Sequence, residues 1–146
     1  MSDAAPLRLL VAVDGSAPSL RALDYALRLR AEAPAAELVL VAVREPMLVV
    51  EALLAPREEL IEHWSASRTH ERLRAVREKL ERAGASGDVE IVDGVPAEVI
   101  VARARELGAD LVLMGSRGLN PLRELALGSV AKSVLALADC PVVVVR

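Results

Sequence analysis

Three glycines and a serine in the last third of the chain have the types and spacing to bind an anion. Gly115 and Gly118 are separated by two residues, and nine more separate Gly118 from Gly128-Ser129. Just before them, Leu111–Met114 is a short, wholly apolar run of the kind a strand buried on both faces requires. After them, Val130, Val134, Leu137 and Ala138 fall at helical spacing. A strand therefore runs into a glycine-bearing loop that delivers the chain to a helix start at Gly128-Ser129. The first turn of a helix has unpaired backbone N–H groups and a partial positive charge. Glycine lets an anion approach that backbone closely, and a serine hydroxyl adds a donor. The combination is a phosphate cradle, with Arg117 and Lys132 as nearby cations. The competing structural role for the same glycines is to permit turns and a cap. Within the loop, Asn120-Pro121 reads as a small helix start that would align Leu119, Leu122 and Leu125 on a short lid.

A carboxylate, Asp14, follows the first apolar run, Leu7–Val13. It could accept hydrogen bonds from ribose hydroxyls or help hold a divalent metal. It could equally be a turn residue or a helix cap. Other nucleotide chemistries lack their motifs. There is no G-x-x-x-x-G-K-[ST] loop, no G-x-G-x-x-G after the first strand and no Ser-Gly-Gly loop near Gly15. No Ser-His-Asp or Cys-His set falls at strand ends. His63 and His70 are seven apart with no third ligand, so exposed histidines are expected rather than a metal site.

The elements that must position these groups alternate. Leu7–Val13 is a strand, and Ser16 caps a helix with Pro18 in its first turn and Leu20, Leu23 and Leu27 on its apolar face; Pro34 stops it. Glu37–Val43 is the second strand. Arg44 to Pro56 is hard to read, with an apolar run Met47–Leu54 broken only by Glu51. Ala66, Thr69, Leu73, Val76, Leu80 and Ala83 form a helical stripe, and Trp64 is out of phase with it. Either this helix breaks near Ser65–Arg68, or its first turns pack elsewhere. Val89–Val92 is the third strand, with Glu90 at its more exposed end. The next helix buries Val99, Ile100, Ala104 and Leu107 and ends at Gly108. Leu111–Met114 and Val142–Val145 are the last strands. Five strands and four helices in alternation predict a single α/β domain over residues 1–146, an open parallel sheet with helices on both faces, Rossmann-like in class.

Composition narrows the functional classes. Among 146 residues there are one Trp, one Tyr and no Phe, which argues against recognition of nucleic acid by base stacking. The net charge of −3 and scattered Lys and Arg offer no basic stripe to nucleic acid or an anionic membrane. The apolar runs are too short to span a bilayer. A lone Cys140 and an N-terminal MSDAAPLR without a signal-peptide pattern lead to the expectation of a cytoplasmic protein.

The Gly115-x2-Gly118-x9-Gly128-Ser129 spacing, with Met114-Gly115-Ser116 before it and Pro141–Val145 after it, resembles the ATP-binding signature of the universal stress protein family. Asp14 resembles the family's aspartate after strand one, Val11–Val13 its first-strand core, and Gly94 and Pro96 its Gly-x-Pro after strand three. Arg44 to about Arg72 matches nothing. The resemblance implies a sheet order of 3-2-1-4-5, which puts the ends of strands one and four side by side. It implies an ATP site made by Val13, Asp14, Val43 on the adenine side, Met114, Gly115, Arg117, Gly118, Gly128, Ser129 and Val130, with Mg²⁺ held through Asp14 and the phosphates. It also implies a homodimer joined through Val142–Val145, an edge strand that only Arg146 protects in the sequence. The first expectation is an adenine-nucleotide-binding stress-response protein, a sensor or regulator acting on an unidentified protein partner. The alternatives are a slow Mg²⁺-dependent ATPase and a dimeric scaffold that binds no nucleotide.

Overall fold

The five apolar runs form one parallel sheet. A computed structural model describes residues 4–63, 66–117 and 127–146. The elements are β1 (Arg8–Ala12), α1 (Ala17–Glu32), β2 (Glu37–Arg44), α2 (Val49–Leu54), α3 (Arg57–His63), α4 (Ala66–Arg72), α5 (Arg74–Arg82), β3 (Val89–Asp93), α6 (Pro96–Leu107), β4 (Leu111–Gly115), α7 (Ser129–Leu137) and β5 (Val142–Val145). The strand order is β3-β2-β1-β4-β5. Val11 lies opposite Leu40 on one side and Leu113 on the other.

Alternation along the strands explains why they read as continuous apolar runs. Leu9, Val11 and Val13 pack on one face with Leu40, Leu113 and the α1 and α5 residues Leu23, Ala26, Val76 and Leu80. Leu10 goes to the other face, with Val41, Val112, Met114 and the α6 and α7 residues Ile100, Val101, Ala131 and Val134. Each fully buried Leu or Val contributes about 1.5–3 kcal/mol, so both faces are strongly held.

The helices differ from expectation in detail. The α1 residues that are fully buried are Ala22, Leu23 and Ala26, while Leu20 and Leu27 are partly buried. Small side chains let α1 lie close on the sheet. On α7, Ala131 and Val134 are buried, whereas Leu137 is 48% exposed, because the helix ends there and its last turn overhangs the sheet. The stripe from Thr69 to Leu80 is interrupted at Leu73, a turn residue between α4 and α5 that is itself buried. Ala83 is exposed at the C-cap of α5. Among the described residues, the segment from Val49 to Arg82 holds four short helices, whereas the sequence predicts a helical stripe from Ala66 to Ala83 and is hard to read from Arg44 to Pro56. Leu48, Val49, Val50, Leu53 and Leu54 all stand in solvent. Trp64, Ser65, Leu119, Asn120, Pro121, Leu122 and Leu125 lie outside the described residues, and with them the expected lid.

Candidate nucleotide site

Strands β1 and β4 are neighbours, and the chain leaves them in opposite directions across the sheet. At such a fork the carboxyl ends of the strands open a crevice. A cleft of about 760 Å³ lies there, within the range of small-ligand sites. Val13, Asp14, Val43, Met114, Gly115, Arg117, Gly128, Ser129 and Val130 all line it. Gly118, the remaining residue of the expected set, lies outside the described residues.

The turn after β1 is locked by a local network. Ser16 N–H donates to Asp14 Oδ1 at 2.8 Å, and Ser19 N–H donates to Ser16 Oγ at 3.4 Å. Ser19 Oγ donates to the Ser16 carbonyl at 3.1 Å and accepts from Asp14 N–H at 3.3 Å. Asp14 is therefore a turn residue with one oxygen. Its other oxygen has no donor among the described residues, which leaves it for a ligand. Gly15 has φ +83°, and a Cβ there would sit 2.2 Å from the Arg72 carbonyl oxygen. Only glycine fits, on both counts. The end of α4 is thereby brought against the turn that carries Asp14.

The other wall starts at the end of β4. Gly115 is buried, and a Cβ there would lie 2.8 Å from the Pro18 carbonyl carbon, Pro18 Cβ and Ser19 N. This glycine lets the first turn of α1 press against the sheet. Ser116 then joins three segments. Its N–H donates to the Val145 carbonyl at 2.7 Å, and its carbonyl accepts from Gly128 N–H at 2.7 Å. The two ends of the glycine loop are pinned together, and α7 starts beside the end of β5. A Cβ on Gly128 would lie 3.2 Å from the Ser116 oxygen. Gly128 occupies the cap of α7 at φ −63°, so closeness rather than backbone strain favours glycine. Ser129 and Val130, in the first turn of α7, line the same cleft as Asp14, and the first-turn N–H groups of a helix have no intrahelical acceptor.

On the β2 side, Arg44 bonds Asp93 in a fork, Nε to Oδ1 at 2.5 Å and Nη2 to Oδ2 at 2.9 Å. The guanidinium holds the Asp93 carboxyl below its ordinary range. The ends of β2 and β3 are tied together where Val43 meets the cleft. Pro96, first residue of α6, also lines it.

Several lining residues were not anticipated. Ser19 is one, and its position three after the Ser16 cap was the available signal. Arg68, Thr69 and Arg72 are others. Their signal was the spacing of Arg68 and Arg72 by four on a predicted helix, within the segment that resembled nothing. No three His, Cys, Asp or Glu side chains cluster among the described residues to form a metal cage. Asp14 alone suits Mg²⁺, which takes one or two carboxylates and completes its shell with phosphates and water.

An open parallel α/β sheet with a crevice at the fork of its strand order defines a doubly wound class of domain, in which ligands are taken at the carboxyl ends of the strands. Residues 7–146 match the model of the universal stress protein family, and the chain belongs to that family. Universal stress protein YxiE of Bacillus subtilis (strain 168) is 34% identical over 145 residues, covering 95% of this chain and 98% of that protein. The solved structure of the hypothetical protein MJ0577 of Methanocaldococcus jannaschii superimposes with a TM-score of 0.75 at 27% identity, over 97% of this chain and 96% of that one. A universal stress protein crystallised in complex with cAMP superimposes with a TM-score of 0.66 at 26% identity, over 98% and 99%. No helix among the described residues is long and apolar enough to cross a membrane.

Proposed function

We propose that this chain, as one domain over residues 1–146, binds ATP with Mg²⁺ in the β1/β4 cleft. It acts as a nucleotide-dependent sensor or regulator in a cytoplasmic stress response, through a protein partner its bound state recruits. The observation that carries the reading is the shared cleft. The open oxygen of Asp14, the apolar end of β2 at Val43 and the Gly128-Ser129 start of α7 all border one space. The adenine would lie by Val43 and Met114, and the ribose or metal by Asp14. The phosphates would lie on the N–H groups of Ser129 and Val130, since Gly128 N–H is taken by the Ser116 carbonyl, with Arg117, Gly118 and Gly128 in the loop beside them. The cAMP complex of a relative at 26% identity supports an adenine ligand.

Turnover is slow in this reading. Among the described residues, the side chains lining the cleft include no histidine or lysine, and Asp14 is committed to Ser16 through one oxygen. A phosphate-release assay should give a rate well below the ~10 s⁻¹ median of enzymes.

The proposed assembly is a homodimer through β5. Val112 N–H bonds the Pro141 carbonyl and Ser116 N–H bonds the Val145 carbonyl. In a parallel ladder alternate residues point to the same neighbour, so Pro141, Val143 and Val145 face β4. Val142 and Val144 then turn their N–H and C=O groups outward along the sheet edge, free for a second copy.

The test of ligand identity is to denature the purified protein and identify any nucleotide released, followed by calorimetry with ATP and Mg²⁺ on the emptied protein. Absence of binding at millimolar ATP would sink the reading.

A further inference from the structure

Residues of α4 line the cleft together with the start of α7. The two arginines of α4, Arg68 and Arg72, are one helical turn apart, so they share a face. Both line the cleft and both are exposed. The backbone that carries them is held in place. The Arg72 carbonyl abuts Gly15, and the next residue, Leu73, is 1% exposed in the core. Neither arginine forms an ion pair with a described residue. Arg8, Arg44, Arg74, Arg77, Arg103 and Arg105 each have a carboxylate partner, whereas Arg28, Arg30, Arg57 and Arg82, like Arg68 and Arg72, have none among the described residues, so it is their place in the cleft lining that marks Arg68 and Arg72. Among the described residues, the cleft is lined by two carboxylates, Asp14 and Glu45, against four guanidinium groups, although the chain as a whole carries −3. One of the four, on Arg44, is already matched by Asp93.

We infer, resting on the nucleotide reading above, that Arg68 and Arg72 read the length of the ligand's phosphate chain, so that the cleft prefers a polyphosphate to a monophosphate. A single phosphate is served by the α7 N–H groups and the Ser129 hydroxyl. A second and third phosphate add two negative charges to be met beyond those donors. A pair of guanidinium groups without carboxylate partners supplies up to five N–H donors each and matches that charge. Their long side chains reach over the cleft from a fixed helix. The same chemistry would accept a nucleoside triphosphate or a bare inorganic triphosphate, and the two are separable by experiment.

The test is titration calorimetry of emptied wild type, R68Q/R72Q and a control, R82Q, with ATP, AMP and inorganic tripolyphosphate. Gln preserves helix propensity, and Arg82 is exposed and lies away from the cleft lining. Unchanged melting temperatures across the three proteins establish that each is folded. The expected result is wild-type affinity for ATP at least about tenfold above AMP, as charge-assisted hydrogen bonds would supply. In R68Q/R72Q, ATP affinity falls by about tenfold or more, AMP affinity moves less than about twofold, and the salt dependence of ATP binding flattens. R82Q behaves as wild type. If wild type binds ATP but the double variant keeps the same ATP-to-AMP ratio, Arg68 and Arg72 do not read phosphate and the nucleotide reading stands alone. Equal wild-type affinity for ATP and AMP overturns the preference in the same way. If tripolyphosphate binds and depends on the two arginines while no nucleotide binds, the arginine assignment stands and the nucleotide reading falls. If no ligand binds wild type, both fall.

Discussion

Gly115→Ala separates two reasons for a glycine at the first position of the signature. If Gly115 served only to let a ligand approach, the ligand-free protein should gain from the change. Alanine in place of a strand glycine narrows the unfolded ensemble and is worth about 0.4–1 kcal/mol in stability. The packing predicts the opposite sign. The new Cβ would stand 2.8 Å from the Pro18 carbonyl carbon and Ser19 N, where ordinary contact is 3.4–4 Å, so α1 must retreat by at least about 0.6 Å. The first turn of α1 is tied to Asp14 through Ser16 and Ser19, and the helix is pressed to the sheet by Ala22, Leu23 and Ala26. Two of the clashing atoms are backbone and cannot rotate away. Overpacking of this kind costs about 1–3 kcal/mol. The unfolding entropy, about 2.1 cal/mol/K per residue, gives ~0.3 kcal/mol/K for a chain of this length. The expected loss is therefore about 3–10 °C in melting temperature without ligand, measured by scanning calorimetry. A ligand-free Gly115→Ala protein that melts at or above the wild type would refute the packing argument.

Asp14→Asn keeps an oxygen for the Ser16 N–H and removes only the charge on the free side. Folding should be unaffected, while the gain in ATP affinity on adding Mg²⁺ disappears in calorimetry; an undiminished gain would move the metal away from Asp14. Val144→Pro removes an outward-facing donor of β5 without touching the β4 ladder, since proline is tolerated on edges. Light scattering should show about twice the 15.6 kDa chain for wild type and a monomer for the variant; a monomeric wild type ends the dimer proposal. Glu90 is bonded in a fork by Arg103 at 2.7 Å through both oxygens, and that guanidinium lowers its carboxyl below the ordinary value. A lowered carboxylate adds stability that is full above its unfolded pKa and is lost as pH falls through the folded one. Melting temperature should thus drop as pH goes from about 5 to below 4. Glu90→Gln should melt lower at pH 7 with a shallower acid slope, the remainder belonging to Asp93 and Asp139, which arginines also lower; identical slopes would count against the pair.

Local periodicity carried most of the fold. The apolar runs within Leu7–Val13, Glu37–Val43, Leu111–Met114 and Val142–Val145 became strands of the sheet, whereas the run Met47–Leu54 carries the exposed helix α2, and Ser16, Pro96 and Gly108 marked helix ends by capping chemistry that acts within a few residues. The glycine spacing marked the loop for the same reason. Asp14 was legible as a polar end to β1, but its division of labour between Ser16 and an open side was not, because that depends on atomic positions in one turn.

What periodicity could not carry were relations between segments distant in sequence. The signature drew attention to Gly115 as a place for a ligand, yet the atoms that forbid a Cβ there belong to Pro18 and Ser19, about a hundred residues earlier. Gly15 likewise owes its necessity to Arg72. The stripe from Ala66 to Ala83 reads as helical without the interruption at Leu73, because a helical stripe shows which face is apolar and says little about where a turn interrupts it. Nothing in the sequence pattern singled out Arg68 and Arg72 as cleft residues. Sequence determined which residues seek burial and where turns and caps fall, since these follow from a residue and its near neighbours. Tertiary structure decided which side chains share the cleft, since strands and helices far apart in the chain meet there only after the sheet is assembled.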